Sequence, residues 1–223
     1  MKREVLGVKI DDVSLEEAVD FIVKNKPHLV FTTGPEFLVT ARKNLEFKKI
    51  LNSADLNIPD GIGLKLFCGF KNSFAGVDLM LELCRVAAEK KLIVGLFGGQ
   101  EGIAKKTKAV LAQKYPGIKI EFAIDGELKE PIKPVDFLFV ALGHPKQEKF
   151  LYTTHGFRVG MGVGGSFDFI SGNLPRPPVI IRKLALGWLY RGFTKPGHWK
   201  RIFNAVIFFP WLVFKKSLND EKN

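Results

Sequence analysis

Short, nearly continuous apolar runs alternate along the chain with stretches in which apolar residues recur every three or four positions. The runs at 28–32, 92–97, 118–124, 135–142 and 157–163 predict strands buried on both faces, and 4–10 and 56–58 predict two shorter strands. Helical spacing predicts helices over 15–23, 36–42, 45–53, 77–91, 102–115 and 146–153. Ser14 and Glu17 stand at the spacing of a capping box ahead of the first helix. Gly34-Pro35, Pro59-Asp60-Gly61, Gly98-Gly99, Pro116-Gly117 and Gly143-His144-Pro145 punctuate the later elements. Strands that alternate with helices and are nearly continuous apolar runs predict an α/β fold: a Rossmann-like, mostly parallel sheet with helices on both faces. After Asp168 the strand pattern stops. Two helical stretches remain, 179–190 and 199–214, parted by Lys195-Pro196-Gly197. The predicted organisation is therefore an α/β body over 1–172 and a helical C-terminal appendage over 173–223.

Charge sharpens that division. The 223 residues carry a formal net charge of +11. Through Asp168 the balance is only +3; from Phe169 to Asn219 there is no acidic residue and the balance is +9. Trp188, Trp199 and Trp211 all lie in the acid-free stretch. An apolar fraction of 46% with 26% charged residues excludes a disordered chain. A basic, aromatic segment calls for an anionic partner, either nucleic acid or an anionic membrane surface. Trp199, Ile202, Phe203, Val206 and Ile207 form one helical stripe, with Lys200, Arg201, Lys215 and Lys216 at its ends and Pro210 as a kink or break. Apolar bulk outweighs a basic face, so the stretch predicts a helix lying in a membrane interface and no nucleic-acid partner. No apolar run approaches the roughly 20 residues of a membrane span, and the first residues lack the apolar core of a signal peptide. The expected place is cytoplasmic, peripheral on the inner face of the cell membrane, with a homo-oligomer left open. Cys68 and Cys84 sit in apolar helical patterns and read as core residues.

In open α/β sheets ligands bind beyond the carboxyl ends of the strands. Four of the predicted strand ends carry glycine: Thr32-Thr33-Gly34, Gly98-Gly99, Gly143-His144-Pro145-Lys146-Gln147-Glu148, and Gly162-Val163-Gly164-Gly165. Each glycine alone makes a tight turn; several at equivalent ends also suit a phosphorylated ligand, with backbone amides and helix N-termini facing it. Neither a P-loop nor a dinucleotide fingerprint is present. Asp60 reads either as the N-cap of a helix or as a general base for a sugar hydroxyl. Lys146 and Gln147 could hold a diphosphate or a sugar hydroxyl, and His144 is a weaker proton carrier. The four histidines and two cysteines show no metal-ligand spacing and no Asp-x-Asp follows a strand, so no metal is expected.

These residues resemble the TagA/WecG/CpsF glycosyltransferases, glycosyltransferase family 26. The likeness runs through Asp60-Gly61-Ile62-Gly63, Gly76-Val77-Asp78-Leu79, Leu96-Phe97-Gly98-Gly99, Tyr115-Pro116-Gly117 and Gly143-His144-Pro145-Lys146-Gln147-Glu148. It continues through Gly162-Val163-Gly164-Gly165-Ser166-Phe167-Asp168, Arg176-Pro177-Pro178 and Trp188-Leu189-Tyr190-Arg191. The resemblance implies an inverting, metal-independent transfer with no cofactor. The donor would be a UDP-sugar, with N-acetylmannosamine or its uronic acid as the sugar. The acceptor would be a polyprenyl-diphosphate-linked N-acetylglucosamine used in teichoic acid or related surface polymers. Asp60 and Thr32 take the positions of the family's base and threonine, Gln147 that of its glutamine, and Arg191 and Arg201 those of appendage arginines that meet a diphosphate. Four positions depart from the family pattern: Gly34 for an asparagine, Ser73 for an arginine, Gly187 for a glutamate and His198 for a basic residue. The departures concern groups that contact the sugar, and a nonenzymatic, membrane-associated nucleotide-sugar sensor or scaffold is the alternative reading.

Overall fold

The first two strands, β1 (Lys2–Val5) and β2 (Val8–Asp11), pair antiparallel. The single strand expected over 4–10 is thus a hairpin. Leu6 and Gly7, with φ of 51° and 80°, turn the chain between them. The computed structural model describes residues 2–26, 28–126, 128, 130–176 and 203–220, with side chains in the last stretch as far as Lys215. Six further strands form one sheet: β3 (Leu29–Thr33), β4 (Leu56–Pro59), β5 (Ile93–Gly98), β6 (Lys119–Ile124), β7 (Val135–Ala141) and β8 (Phe157–Gly162). Their order is β4-β3-β8-β7-β5-β6, and every neighbouring pair is parallel. The expected Rossmann-like parallel sheet is what the chain builds.

Helices cover both faces. One layer holds α2 (Pro35–Lys43), α3 (Leu45–Asn52) and α7 (Lys146–Thr153), whose Phe37, Leu38, Phe47, Ile50 and Leu151 share one core cluster. The other holds α1 (Leu15–Asn25), α5 (Gly76–Lys90), α6 (Ile103–Lys114) and α8 (Ser166–Ile170), around Ile22, Leu79, Leu83, Ile103 and Phe167. Strands sandwiched in this way are apolar on both sides over most of their length, which is why they read as nearly continuous runs; the edge strand β6 is only partly covered and carries Lys119 and Glu121. The capping box holds: Glu17 N–H donates to Ser14 Oγ at 3.2 Å and Ser14 N–H to Glu17 Oε2 at 2.7 Å. Two helices are short: α4 (Ile62–Cys68), which answers the helix expected after Asp60, and α8, which was not legible in the sequence. Neither completes two turns of apolar period, and each is held by the strand end it follows.

The hairpin is fastened beside β4. Asn57 N–H donates to Asp11 Oδ2 at 3.0 Å, its side-chain amide donates to the Lys9 carbonyl at 3.0 Å, and the Thr33 hydroxyl donates to Asn57 Oδ1. These buried polar groups satisfy one another and lock β3, β4 and the hairpin in register.

The C-terminal stretch is a π-helical turn, Asn204–Phe208, followed by α9 (Phe209–Asp220). Helical structure continues through Pro210, so the chain does not break there, and the π-helical turn just before it is the irregularity that the proline imposes. The wider turn just before the proline accommodates its missing N–H and its ring. The last helix packs on α2 and α4, and Phe209 and Leu212 are buried in the same cluster as Phe37 and Leu38. Burying two such side chains contributes on the order of 3–6 kcal/mol. The helix expected at 179–190, with Trp188, Arg191, Trp199 and Arg201, lies outside the described residues. Among the described residues no helix is long and apolar enough to cross a membrane.

Candidate active site

Because β4, β3, β8, β7 and β5 are parallel neighbours, their carboxyl ends share one edge of the sheet. The helices that follow β3 and β7 pack on one face and those that follow β8 and β5 on the other, so adjacent loops diverge at that edge, which is where open α/β sheets bind their ligands. Asp60, Thr32, Gly164, Gly165, Gly143, Lys146, Gln147, Gly98 and Gly99 are all brought to it by the strands they end or follow. Arg191 and Arg201 lie outside the described residues.

Asp60 follows β4, and its N–H donates to the Thr33 carbonyl at 3.0 Å. The N-cap of α4 is Gly61, at φ 83°, so the capping reading of Asp60 does not apply. Ser73 donates its hydroxyl to the Gly61 carbonyl at 2.9 Å. At the position where the resemblance puts an arginine, this chain thus has a short side chain that pins the Asp60 turn. Thr32 is buried, and its hydroxyl donates to the Gly162 carbonyl at 3.4 Å, bridging β3 to β8. It also backs onto Gly76 at the start of α5, where a Cβ would come within 3.2 Å of Thr32 Cγ2.

Gln147 is buried in the first turn of α7, 2% exposed. Its Oε1 accepts from Gly164 N–H at 2.9 Å, and its Nε2 donates to Glu148 Oε1 at 2.6 Å. Gly164 has φ 51°, in the left-handed region that favours glycine, and open space on its Cβ side. A Cβ on Gly162 would stand 2.7 Å from Gln147 Nε2, so only glycine permits the amide to lie there. Glu148 is fully buried, and burial pushes its carboxyl up to about 7. Lys146, by contrast, is exposed at the start of the same helix, where a cation can meet an anionic ligand.

The Gly98-Gly99 end is largely committed to the fold. Gly99 N–H donates to the Ala141 carbonyl at 3.0 Å. The Asp125 carboxylate accepts from Gly102 N–H at 3.0 Å and Ala104 N–H at 2.7 Å, taking amides at the start of α6 that were expected to face a phosphate. His144 stacks on Phe37 with ring centroids 4.6 Å apart. Cys68 and Cys84 are pushed up to about 11 and about 12 by burial, so both thiols stay protonated near neutrality. Among the described residues no group of three or more His, Cys, Asp or Glu could hold a metal ion. Surface hollows of about 340 and 380 Å³ lie away from the strand ends, one between α3 and α7 and one at the amino edge of the sheet.

Beside the Asp60 turn the surface is apolar and basic. On the C-terminal helix Phe203, Ile207, Trp211 and Phe214 are 51–65% exposed. On α4, against which it packs, Leu66 and Phe67 are exposed as well. Lys215 sits 5.1 Å over the Trp211 ring and Lys43 5.1 Å over that of Phe208.

Glu148, Asp125 and Ser73 were given no role by sequence reasoning. A signal for Glu148 was present: Gln147 and Glu148 stand four and three residues before buried Leu151, on the inward face of α7. No local pattern marks Asp125 or Ser73, because their partners are distant in sequence.

A family model described as the glycosyl transferase WecG/TagA/CpsF family matches residues 3–223. The chain is similar to an N-acetylglucosaminyldiphosphoundecaprenol N-acetyl-beta-D-mannosaminyltransferase of Bacillus subtilis (strain 168), at 34% identity over 86% of this chain and 80% of that protein. A protein of the same name from Bacillus spizizenii is 33% identical over 82% of this chain and 78% of its own length. One from Staphylococcus aureus (strain MRSA252) is 29% identical over 99% of this chain and 95% of its own length.

Proposed function

The chain belongs to the WecG/TagA/CpsF family of glycosyl transferases, and from that premise we propose that it moves an N-acetylhexosamine-type sugar, N-acetylmannosamine or its uronic acid, from a UDP-sugar to a polyprenyl-diphosphate-linked N-acetylglucosamine. The observation that carries this reading is the alignment of Asp60 with the Gly164 and Lys146 turns along one carboxyl edge of the sheet. The names of the relatives support the lipid-linked acceptor and the mannosaminyl donor.

In the proposed reaction the donor lies across the ends of β8 and β7, with its diphosphate against Lys146 and the start of α7. Asp60 takes the proton of the acceptor hydroxyl as its oxygen bonds to the anomeric carbon. The bond from that carbon to the diphosphate breaks, UDP leaves with the electron pair, and the anomeric configuration inverts. Charge grows on the departing diphosphate, where Lys146 and the appendage residues Arg191 and Arg201 give the most stabilisation. Thr32 and Gln147 brace the strand ends around the sugar. No metal or cofactor takes part. The apolar, lysine-edged surface of α4 and the C-terminal helix supports docking on an anionic membrane, which holds the lipid acceptor beside Asp60.

The test is incubation of the full chain with a panel of UDP-sugars and a short-chain polyprenyl-diphosphate N-acetylglucosamine, with and without a chelator. Transfer from UDP-N-acetylmannosamine or its uronic acid, unchanged by the chelator, is the expected result. Nucleotide-sugar binding without transfer to any acceptor would favour the sensor or scaffold instead.

A further inference from the structure

Glu148 stands in the first turn of α7, at the carboxyl edge of the sheet, yet has no part in the proposed chemistry. It is fully buried, one oxygen accepts the Gln147 amide, and the other, Oε2, has no hydrogen-bond partner among the described residues. An acidic residue in the first turn of a helix is commonly an exposed partner of the helix dipole. Here the side chain points inward, against the position a Gly162 Cβ would take, 3.0 Å from Glu148 Oε1. A buried carboxyl with an unsatisfied oxygen costs more than an apolar side chain of the same shape, so stability does not account for it.

What the carboxyl does is remove an ambiguity. The two ends of a glutamine amide have nearly the same shape and opposite hydrogen-bonding character. Gly164 N–H needs the oxygen end, and only an acceptor committed to Nε2 keeps the amide from turning over and setting donor against donor. Glu148 Oε1 is that acceptor, and it accepts whether the group is ionised or carries its proton on Oε2. We infer that Glu148 is a positioning residue, whose carboxyl orients the Gln147 amide so that the amide holds Gly164 and the turn between β8 and α8. The consequence for donor binding rests on the function proposed above, but the positioning itself does not.

The experiment is amide hydrogen exchange at Gly164 in the ligand-free full chain, beside UDP-sugar affinity and the thermal midpoint. Glu148→Leu, or Glu148→Met where leucine is not accommodated, is expected to speed Gly164 exchange and weaken UDP-sugar binding, each about tenfold, as for a lost hydrogen bond. Glu148→Gln presents an amide oxygen at the same place and is expected to restore both to within about threefold. The Gln147→Leu, Glu148→Leu double variant is expected to exchange no faster than Gln147→Leu alone, because one residue acts through the other. Unchanged Gly164 exchange in Glu148→Leu, or additive effects in the double variant, would overturn the inference. Faster Gly164 exchange with unchanged UDP-sugar affinity would support the positioning and displace the donor from this turn.

Discussion

The guanidinium of Arg176 reaches the carboxylate of Asp78, 98 positions earlier, in the first turn of α5. The pair joins two of the motifs on which the family resemblance rests. It ties the start of the appendage to the helix that backs Thr32. Both side chains are about a third exposed, so the pair contributes roughly 0.5–1 kcal/mol. Arg176→Ala is expected to lower the thermal midpoint by only a few degrees. Turnover with the lipid-linked acceptor should fall further than with UDP-sugar binding, because the exit of the chain toward the appendage loses its anchor. Equal losses in both measurements would count against that separation.

Replacing the proposed base separates chemistry from binding. Asp60→Asn keeps the size of the side chain and removes its basicity. The turnover rate should drop by about 10²–10⁴-fold, with UDP-sugar affinity within about threefold of the parent. Retained turnover would remove Asp60 as the base.

The exposed face of α4 offers a test of membrane docking that leaves the core alone. Leu66→Glu with Phe67→Glu should reduce sedimentation with anionic vesicles by about tenfold for each apolar side chain withdrawn from the interface. The thermal midpoint and transfer to a short, water-soluble acceptor should hold. Undiminished vesicle binding would place the docking surface elsewhere.

Glu148 gives the stability of the protein a pH dependence of predictable sign. Its carboxyl titrates at about 7 when folded, against an ordinary 4.5 when unfolded. Between those values the folded chain holds the extra proton. This contribution is therefore complete below about pH 4.5 and is lost as the pH rises through 7, in all about 3 kcal/mol. Denaturant titrations of the parent at pH 5 and pH 8 should show that loss. In Glu148→Gln, which does not titrate, the difference should shrink, and the variant should exceed the parent in stability at pH 8.

Much of the fold was legible in the chain because it is written in local periods. Strands covered on both faces are apolar over most of their length, and in β7 the run from Phe137 to Ala141 reads so without any alignment. The capping box of α1 is a contact over three residues and could be read the same way. The hairpin was harder, since Leu6-Gly7 interrupts a strand of only seven positions without a strong turn dipeptide. Pro210 marks an irregularity that the sequence announces, but its form, a π-turn inside a continuing helix, accompanies tertiary packing, with Phe209 and Leu212 buried in the same cluster as residues of α2.

By itself the sequence determined the α/β class, the strand ends at which the chemistry gathers, and the separation of a near-neutral body from a basic, aromatic end. It could do so because these depend on period, composition and turn residues. The tertiary structure decided which polar groups at those ends are available. It spent Gly99 N–H on Ala141, the amides of α6 on Asp125, and Gln147 on Gly164, and it moved the cap of α4 from Asp60 to Gly61. Hydrogen-bond partners of this kind are chosen by distance in space after the sheet has formed, and no spacing along the chain encodes them.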